Sequence, residues 1–194
     1  MESPIKKIAI FASGNGTNAE NIIQYFSNTS NIQIRLIVCN KPEAGVLSIA
    51  QKHNIPVLLI HKERFFYGDA YVRELKDCGI DLIVLAGFLW KIPSLLINGF
   101  QNGIINIHPA LLPKFGGKGM YGQFVHEAVI AQKAKETGIT IHLVDEIYDN
   151  GRIIFQKSMP VSENETPSSI AKKIHVLEYR YYPEIIETYL KELI

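Results

Sequence analysis

Short, wholly apolar runs of strand length alternate along this chain with segments whose apolar residues recur at helical spacing. Ile8-Ala9-Ile10-Phe11-Ala12 carries no polar residue on either face, which suits a strand only if both faces are covered. The turn Ser13-Gly14-Asn15-Gly16 follows, and then Ala19, Ile22, Ile23 and Phe26 mark a helix. The same reading places strands at 32–39, 56–60, 81–86 and 103–107, and helices at 44–53 and 66–78. Strands buried on both sides and joined through helices require right-handed crossovers and a parallel sheet. The last third changes character. A glycine-rich stretch (Gly116, Gly117, Gly119, Gly122) leads to a helix over 124–133, and a short polar loop joins strands at 139–144 and 153–159 as an antiparallel pair. Thr166-Pro167-Ser168-Ser169 opens a closing helix, with a hydroxyl cap, an early proline, and Ile170, Ile174, Leu177 and Tyr181 on one stripe. The expected fold is α/β and Rossmann-like: a mostly parallel twisted sheet, helices on both faces, and an antiparallel C-terminal strand pair, in a single domain over residues 1–194.

Composition narrows the class. Twenty basic against 19 acidic residues leave a net charge of +1, too little for a general nucleic-acid binder, whose affinity comes from releasing counterions. Two cysteines, Cys39 and Cys78, are too few for a disulfide framework and suit a reducing cytoplasm. The longest apolar run, 82–90, is about half a membrane span. The first strand begins too early for a signal peptide. The expectation is a cytoplasmic protein that acts on small molecules, without nucleic acid or membrane, as a monomer or weak homodimer.

Three segments can carry chemistry. Gly14-x-Gly16-x-x-Ala19 formally matches a dinucleotide fingerprint, in which glycines let backbone N–H groups approach a phosphate at a helix N-terminus. The second strand, however, ends Val38-Cys39-Asn40-Lys41-Pro42, with no acid to hold ribose hydroxyls until Glu43. A phosphate monoester fits that turn better than NAD. In Asn106-Ile107-His108-Pro109 the amide and the imidazole lie two apart and project to one face at a strand's carboxyl end. Such a pair can stabilise an oxyanion and move a proton, although alone it equally suits a capping Asn and a satisfied His. The loop Asp145-Glu146-Ile147-Tyr148-Asp149-Asn150-Gly151 can offer a carboxylate to His108 and raise its pKa, or be only a solvated turn. His53, His61, His126 and His175 read as surface or helix residues, while His142 sits on a buried strand beside this loop. No Cys-x-x-Cys, His-x-His or His-Glu-x-x-His spacing supports a metal site.

Taken in order, Ser13-Gly14-Asn15-Gly16-Thr17-Asn18, Leu85-Ala86-Gly87-Phe88, Asn106-Ile107-His108-Pro109-x-Leu111-Leu112-Pro113 and Asp145-Glu146-x-x-Asp149-x-Gly151 resemble the folate-dependent formyltransferase family. Within it they are most similar to the glycinamide ribonucleotide enzymes of purine biosynthesis. The likeness runs from Ile8 to about Pro183. A single domain of this length is the expectation for the glycinamide ribonucleotide enzymes, whereas the methionyl-tRNA enzymes would carry a further C-terminal domain and the formylfolate hydrolases an N-terminal regulatory one.

The resemblance implies a catalytic trio of Asn106, His108 and Asp149, with Asn106 also against the folate. It implies a phosphate loop of Gly16, Thr17 and Asn18, a ribose contact at Glu178, and a pterin-binding segment of Leu89, Trp90, Lys91 and Ile92. The implied reaction moves a formyl group from 10-formyltetrahydrofolate to the amine of 5'-phosphoribosylglycinamide, without a metal. Two departures mark the chain: Leu89-Trp90-Lys91 stands where Met-Arg is common after Gly-Phe, and Gly68 stands where a basic residue often meets the folate. Lys91 or Arg64 is the candidate to supply the missing charge. A related folate hydrolase or sugar-amine formyltransferase would share the trio. A non-catalytic nucleotide-binding domain would need only the first turn.

Overall fold

The computed structural model describes residues 4–193, so the expected domain limits at 1 and 194 lie outside it. Seven strands form one sheet in the order β3-β2-β1-β4-β5-β6-β7. These are β1 (Lys6–Ala12), β2 (Ile32–Cys39), β3 (Val57–Leu59), β4 (Leu82–Leu85), β5 (Ile104–His108), β6 (Glu136–Leu143) and β7 (Ile153–Pro160). The first five run parallel. Strand β6 is antiparallel to β5 and β7 antiparallel to β6, so the reversal begins one pairing earlier than the expected terminal pair.

Both faces of the central strands β1, β4 and β5 are buried, as their apolar sequences require, whereas β3 and β7 at the two edges are largely exposed. Ile8, Ile10 and Ala12 of β1 join the core beneath α1 (Thr17–Phe26), α2 (Val46–Lys52) and α7 (Pro167–Glu192). Ala9 and Phe11 join the opposite core, with Phe65 of α3 (Lys62–Tyr67), Leu75 of α4 (Val72–Asp77) and Leu96 of α5 (Ser94–Gly99). On β5, Ile105 and Ile107 face the first core and Ile104 the second. Asn106 and His108 therefore share the face of Ile104, beyond the point where that core ends.

Three expectations are corrected. The helix expected over 66–78 is two helices, because Ala70 (φ 52°) and Tyr71 (φ 59°) turn left-handed and the Asp69 carboxylate accepts the Tyr71 N–H. Helix α5, absent from the sequence reading, starts after Pro93 and is only six residues long. The buried stripe of α7 runs Ile170, Ile174, Glu178, Tyr182, Ile186, with Leu177 and Tyr181 at its half-buried edge. Its start matches: Thr166 and Ser169 form a reciprocal capping box with Pro167 in the first turn. The Tyr182 hydroxyl donates to Leu85 O at 2.9 Å, tying this helix to the end of β4.

Candidate active site

Strand order reverses between β1 and β4, and the carboxyl ends of strands at such a switch point open a crevice. A cavity of about 800 Å³ lies there, within the range of small-molecule sites. The turn after β1 and the segment after β4 form adjoining walls, held together by Ser13. Its hydroxyl accepts the Leu89 N–H at 3.0 Å, and its own N–H donates to Gly87 O at 3.1 Å. The motif Ser13-Gly14-Asn15-Gly16 carries no sign of this role for Ser13.

Asn106, His108 and Asp149 meet in this cleft. Asp149 arrives from the loop between β6 and β7 in a left-handed conformation (φ 54°) that an Asp tolerates better than most residues. Its Oδ2 accepts the Gly117 N–H at 2.9 Å and lies 3.7 Å from His108 Nδ1; its Oδ1 lies 3.7 Å from His142 Nε2. Burial acts to raise the Asp149 carboxyl, but the imidazoles of His142 and His108 and the Gly117 N–H outweigh it and hold it below the usual aspartate value.

His108 is 3% exposed, and its Nε2 lies 2.8 Å from Phe115 O, so that nitrogen carries a proton. Burial pushes the ring's pKa below the ordinary histidine value. The Asp149 carboxylate and the Phe115 carbonyl oppose that shift without reversing it. The expected upward shift is thus corrected: the carboxylate is in place, but desolvation is the larger effect. A neutral His108 turns its Nδ1 lone pair toward Asp149, poised to take a proton that the carboxylate would then stabilise.

His142 orients the amide. Its Nδ1 lies 2.7 Å from Leu143 O and donates there, and its Nε2 lies 3.1 Å from Asn106 Nδ2 and 3.7 Å from Asp149 Oδ1, between the amide and the carboxylate. The Asn106 amide is thereby held at the carboxylate end of the cleft. The sequence signal for this was only a histidine on a buried strand next to an acidic loop. Thr140 anchors the turn after His108, donating to Ala110 O at 2.6 Å and accepting the Leu112 N–H at 3.0 Å.

The remaining expected residues also reach the cleft. Gly16, Thr17 and Asn18 line it at the start of α1, and Glu178 lines it from α7. Asn18 Nδ2 donates to Glu178 Oε2 at 2.9 Å, and His175 Nδ1 lies 2.8 Å from the same oxygen, which raises the His175 pKa. His126 and His175, read from sequence as surface or helix residues, both line the cavity.

Leu89, Trp90, Lys91 and Ile92 line the wall after β4. Trp90 packs with Phe65 and Phe66 at ring separations of 5.6 and 5.5 Å, and Lys91 Nζ sits 5.6 Å from the Tyr148 ring. Arg64 is engaged elsewhere. Its guanidinium pairs with Asp69 and Glu74 and covers Tyr71, outside the cleft lining.

Residues 6–186 match the model of the formyl transferase family. The chain belongs to that family. Among relatives of this formyl transferase, a chloroplastic phosphoribosylglycinamide formyltransferase of Arabidopsis thaliana is 41% identical over 97% of the chain and 67% of that protein. The phosphoribosylglycinamide formyltransferase of Bacillus subtilis is 37% identical, covering 96% of this chain and 95% of that one. The crystal structure of the Bacillus halodurans phosphoribosylglycinamide formyltransferase superposes with a TM-score of 0.86 at 37% identity, covering 95% of both chains. The mostly parallel Rossmann-like sheet expected from the sequence is thus the fold of formyl transferases.

Proposed function

We propose that this chain transfers the formyl group of 10-formyltetrahydrofolate to the amine of 5'-phosphoribosylglycinamide, a step of purine biosynthesis. One observation carries the reading: the Asn106–His108–Asp149 cluster lies in the same cleft as the glycine turn at the start of α1 and the apolar wall after β4. The names borne by the relatives agree with it.

Bound formylfolate supplies an activated formyl group. The wall of Leu89, Trp90 and Ile92, beside a cavity of about 800 Å³, fits a flat apolar ring system, and Lys91 offers a cation at its rim. Backbone N–H groups of Gly16, Thr17 and Asn18 hold the phosphate of the amine substrate, helped by the positive end of α1. Glu178 accepts from its ribose hydroxyls. Asn106 gives an amide N–H to the oxygen that becomes negative as the amine adds to the formyl carbon. His108 Nδ1 takes the proton from the attacking nitrogen and returns it to the departing one. Asp149 stabilises the imidazolium in between. Holding both reactants in one cleft supplies a further ~7–11 kcal/mol of entropic advantage.

The test is steady-state turnover of 10-formyltetrahydrofolate with and without phosphoribosylglycinamide. The proposal expects turnover only with the amine. Equal folate consumption without it identifies a hydrolase, and none in either condition leaves a binding domain.

A further inference from the structure

Helix α6 (Gln123–Ala131) supplies one wall of the cleft, and His126 is the residue on it that does not behave like core. Its neighbours Val125 and Val129 are fully buried and pack with no polar atom to satisfy. His126 is 4% exposed, yet its Nδ1 is sealed from solvent with no hydrogen-bond partner among the described residues. An apolar side chain would fill the space without leaving a buried nitrogen unpaired, so packing does not explain the choice.

Burial drives the ring toward its neutral form. A neutral imidazole carries one proton, and placing it on Nδ1 would bury a donor with no acceptor. It therefore rests on Nε2, the nitrogen that is not sealed off, and the residue lines the cavity. Glu178, His175 and His108 line the same cavity as this ring, and the Glu178 carboxylate is near enough to act on it. An N–H donor at that place, beside a carboxylate that suits hydroxyl groups, calls for an oxygen acceptor on a ligand spanning the two.

We propose that His126 is a further substrate-binding residue, its Nε2–H donating to an oxygen of the ribose phosphate half of the amine substrate. This rests on the proposed function for where that half lies. The experiment therefore uses ribose 5-phosphate and inorganic phosphate in titration calorimetry beside the full reaction.

His126→Leu keeps the bulk and removes the donor. It should weaken ribose 5-phosphate binding and raise the KM for phosphoribosylglycinamide about tenfold, with the formylfolate KM unchanged and kcat altered far less than KM. His126→Gln, whose amide nitrogen can reach the Nε2 position, should recover most of the loss. A loss shared by inorganic phosphate assigns the contact to a phosphate oxygen, and one confined to ribose 5-phosphate assigns it to the sugar. Parent-like binding by His126→Leu, equal weakening by Leu and Gln with a lowered Tm, or a parent protein blind to ribose 5-phosphate would each overturn the inference. A parent that binds ribose 5-phosphate through His126 but does not formylate the amine refutes the proposed function alone.

Discussion

Replacing Gly16 by alanine tests the turn that begins the cleft. A glycine turn at a helix N-terminus leaves the path of a phosphate clear, and a side chain there would be expected to close it. The structure directs that side chain elsewhere: a Cβ on Gly16 would lie 2.8 Å from Val46 Cα, Cβ and Cγ2, at the start of helix α2. Carbon atoms prefer about 3.5–4.0 Å, and one of these three is backbone that cannot rotate away. Overpacking of this kind costs about 1–3 kcal/mol. The residue is also left-handed, at φ 78°, which adds about 1–2 kcal/mol for any residue with a Cβ. The total, about 2–5 kcal/mol, is a large fraction of the ~5–15 kcal/mol that holds a domain folded. At about 2–4 °C per kcal/mol for a chain of this size, Tm should fall by about 4–20 °C. Gly14→Ala is the control, since nothing lies within 4 Å of its added carbon and its φ is not in the left-handed region. Thermal unfolding of the two variants and a Gly16→Ala, Val46→Ala double variant decides the matter. The double variant should regain part of the loss, because removing Cγ2 relieves one contact of three. Equal Tm values for Gly14→Ala and Gly16→Ala would refute the reasoning.

Other outcomes follow from the site. Asp149→Asn removes the carboxylate that holds the His108 pKa up, so kcat should fall and the acidic limb of its pH profile should move to lower pH; a limb moving to higher pH contradicts the assigned role. His108 and His126 have depressed pKa values, so the stability they contribute is present above the ordinary histidine pKa and lost as pH falls, because the unfolded chain takes up protons first. His175 has the opposite sign, its contribution being fully present at low pH and lost as pH rises through its folded pKa. Thermal unfolding from about pH 7 to about pH 5 should show a falling Tm, less steep in His108→Gln and steeper in His175→Gln. Lys91→Ala should raise the KM for formylfolate, more so for a polyglutamylated form, while the amine KM stays put; steady-state kinetics with both folates checks it.

The sequence carried the parallel part of the sheet because its strands are apolar on both faces, and Ile8 to Ala12 can be little else. It carried Asn106 and His108 because strand periodicity alone puts them on one face. It did not carry the break at Ala70 and Tyr71, where two left-handed residues occur without a glycine at either position. Nor did it reveal that α7 buries Glu178 rather than Leu177, since a buried carboxylate is legible only once Asn18 and His175 are seen to face it. The net direction of the His108 pKa was also out of reach. The carboxylate partner shows in the motif, but the depth of burial that outweighs it is a property of the assembled cleft.

The central claim is that Asn106 and His108 act on the transferring formyl group. The most direct measurement is a single-turnover reaction with formyl-labelled 10-formyltetrahydrofolate and phosphoribosylglycinamide, quenched at short times, on the parent, Asn106→Ala and His108→Ala. In the parent, the label should appear on the amine of the product and not as formate. In each variant both substrates should still bind, while the rate of label transfer drops about 10²–10³-fold, the usual loss for a missing oxyanion donor or proton acceptor. Label released as formate by the parent, or transfer at the parental rate by either variant, would contradict the account.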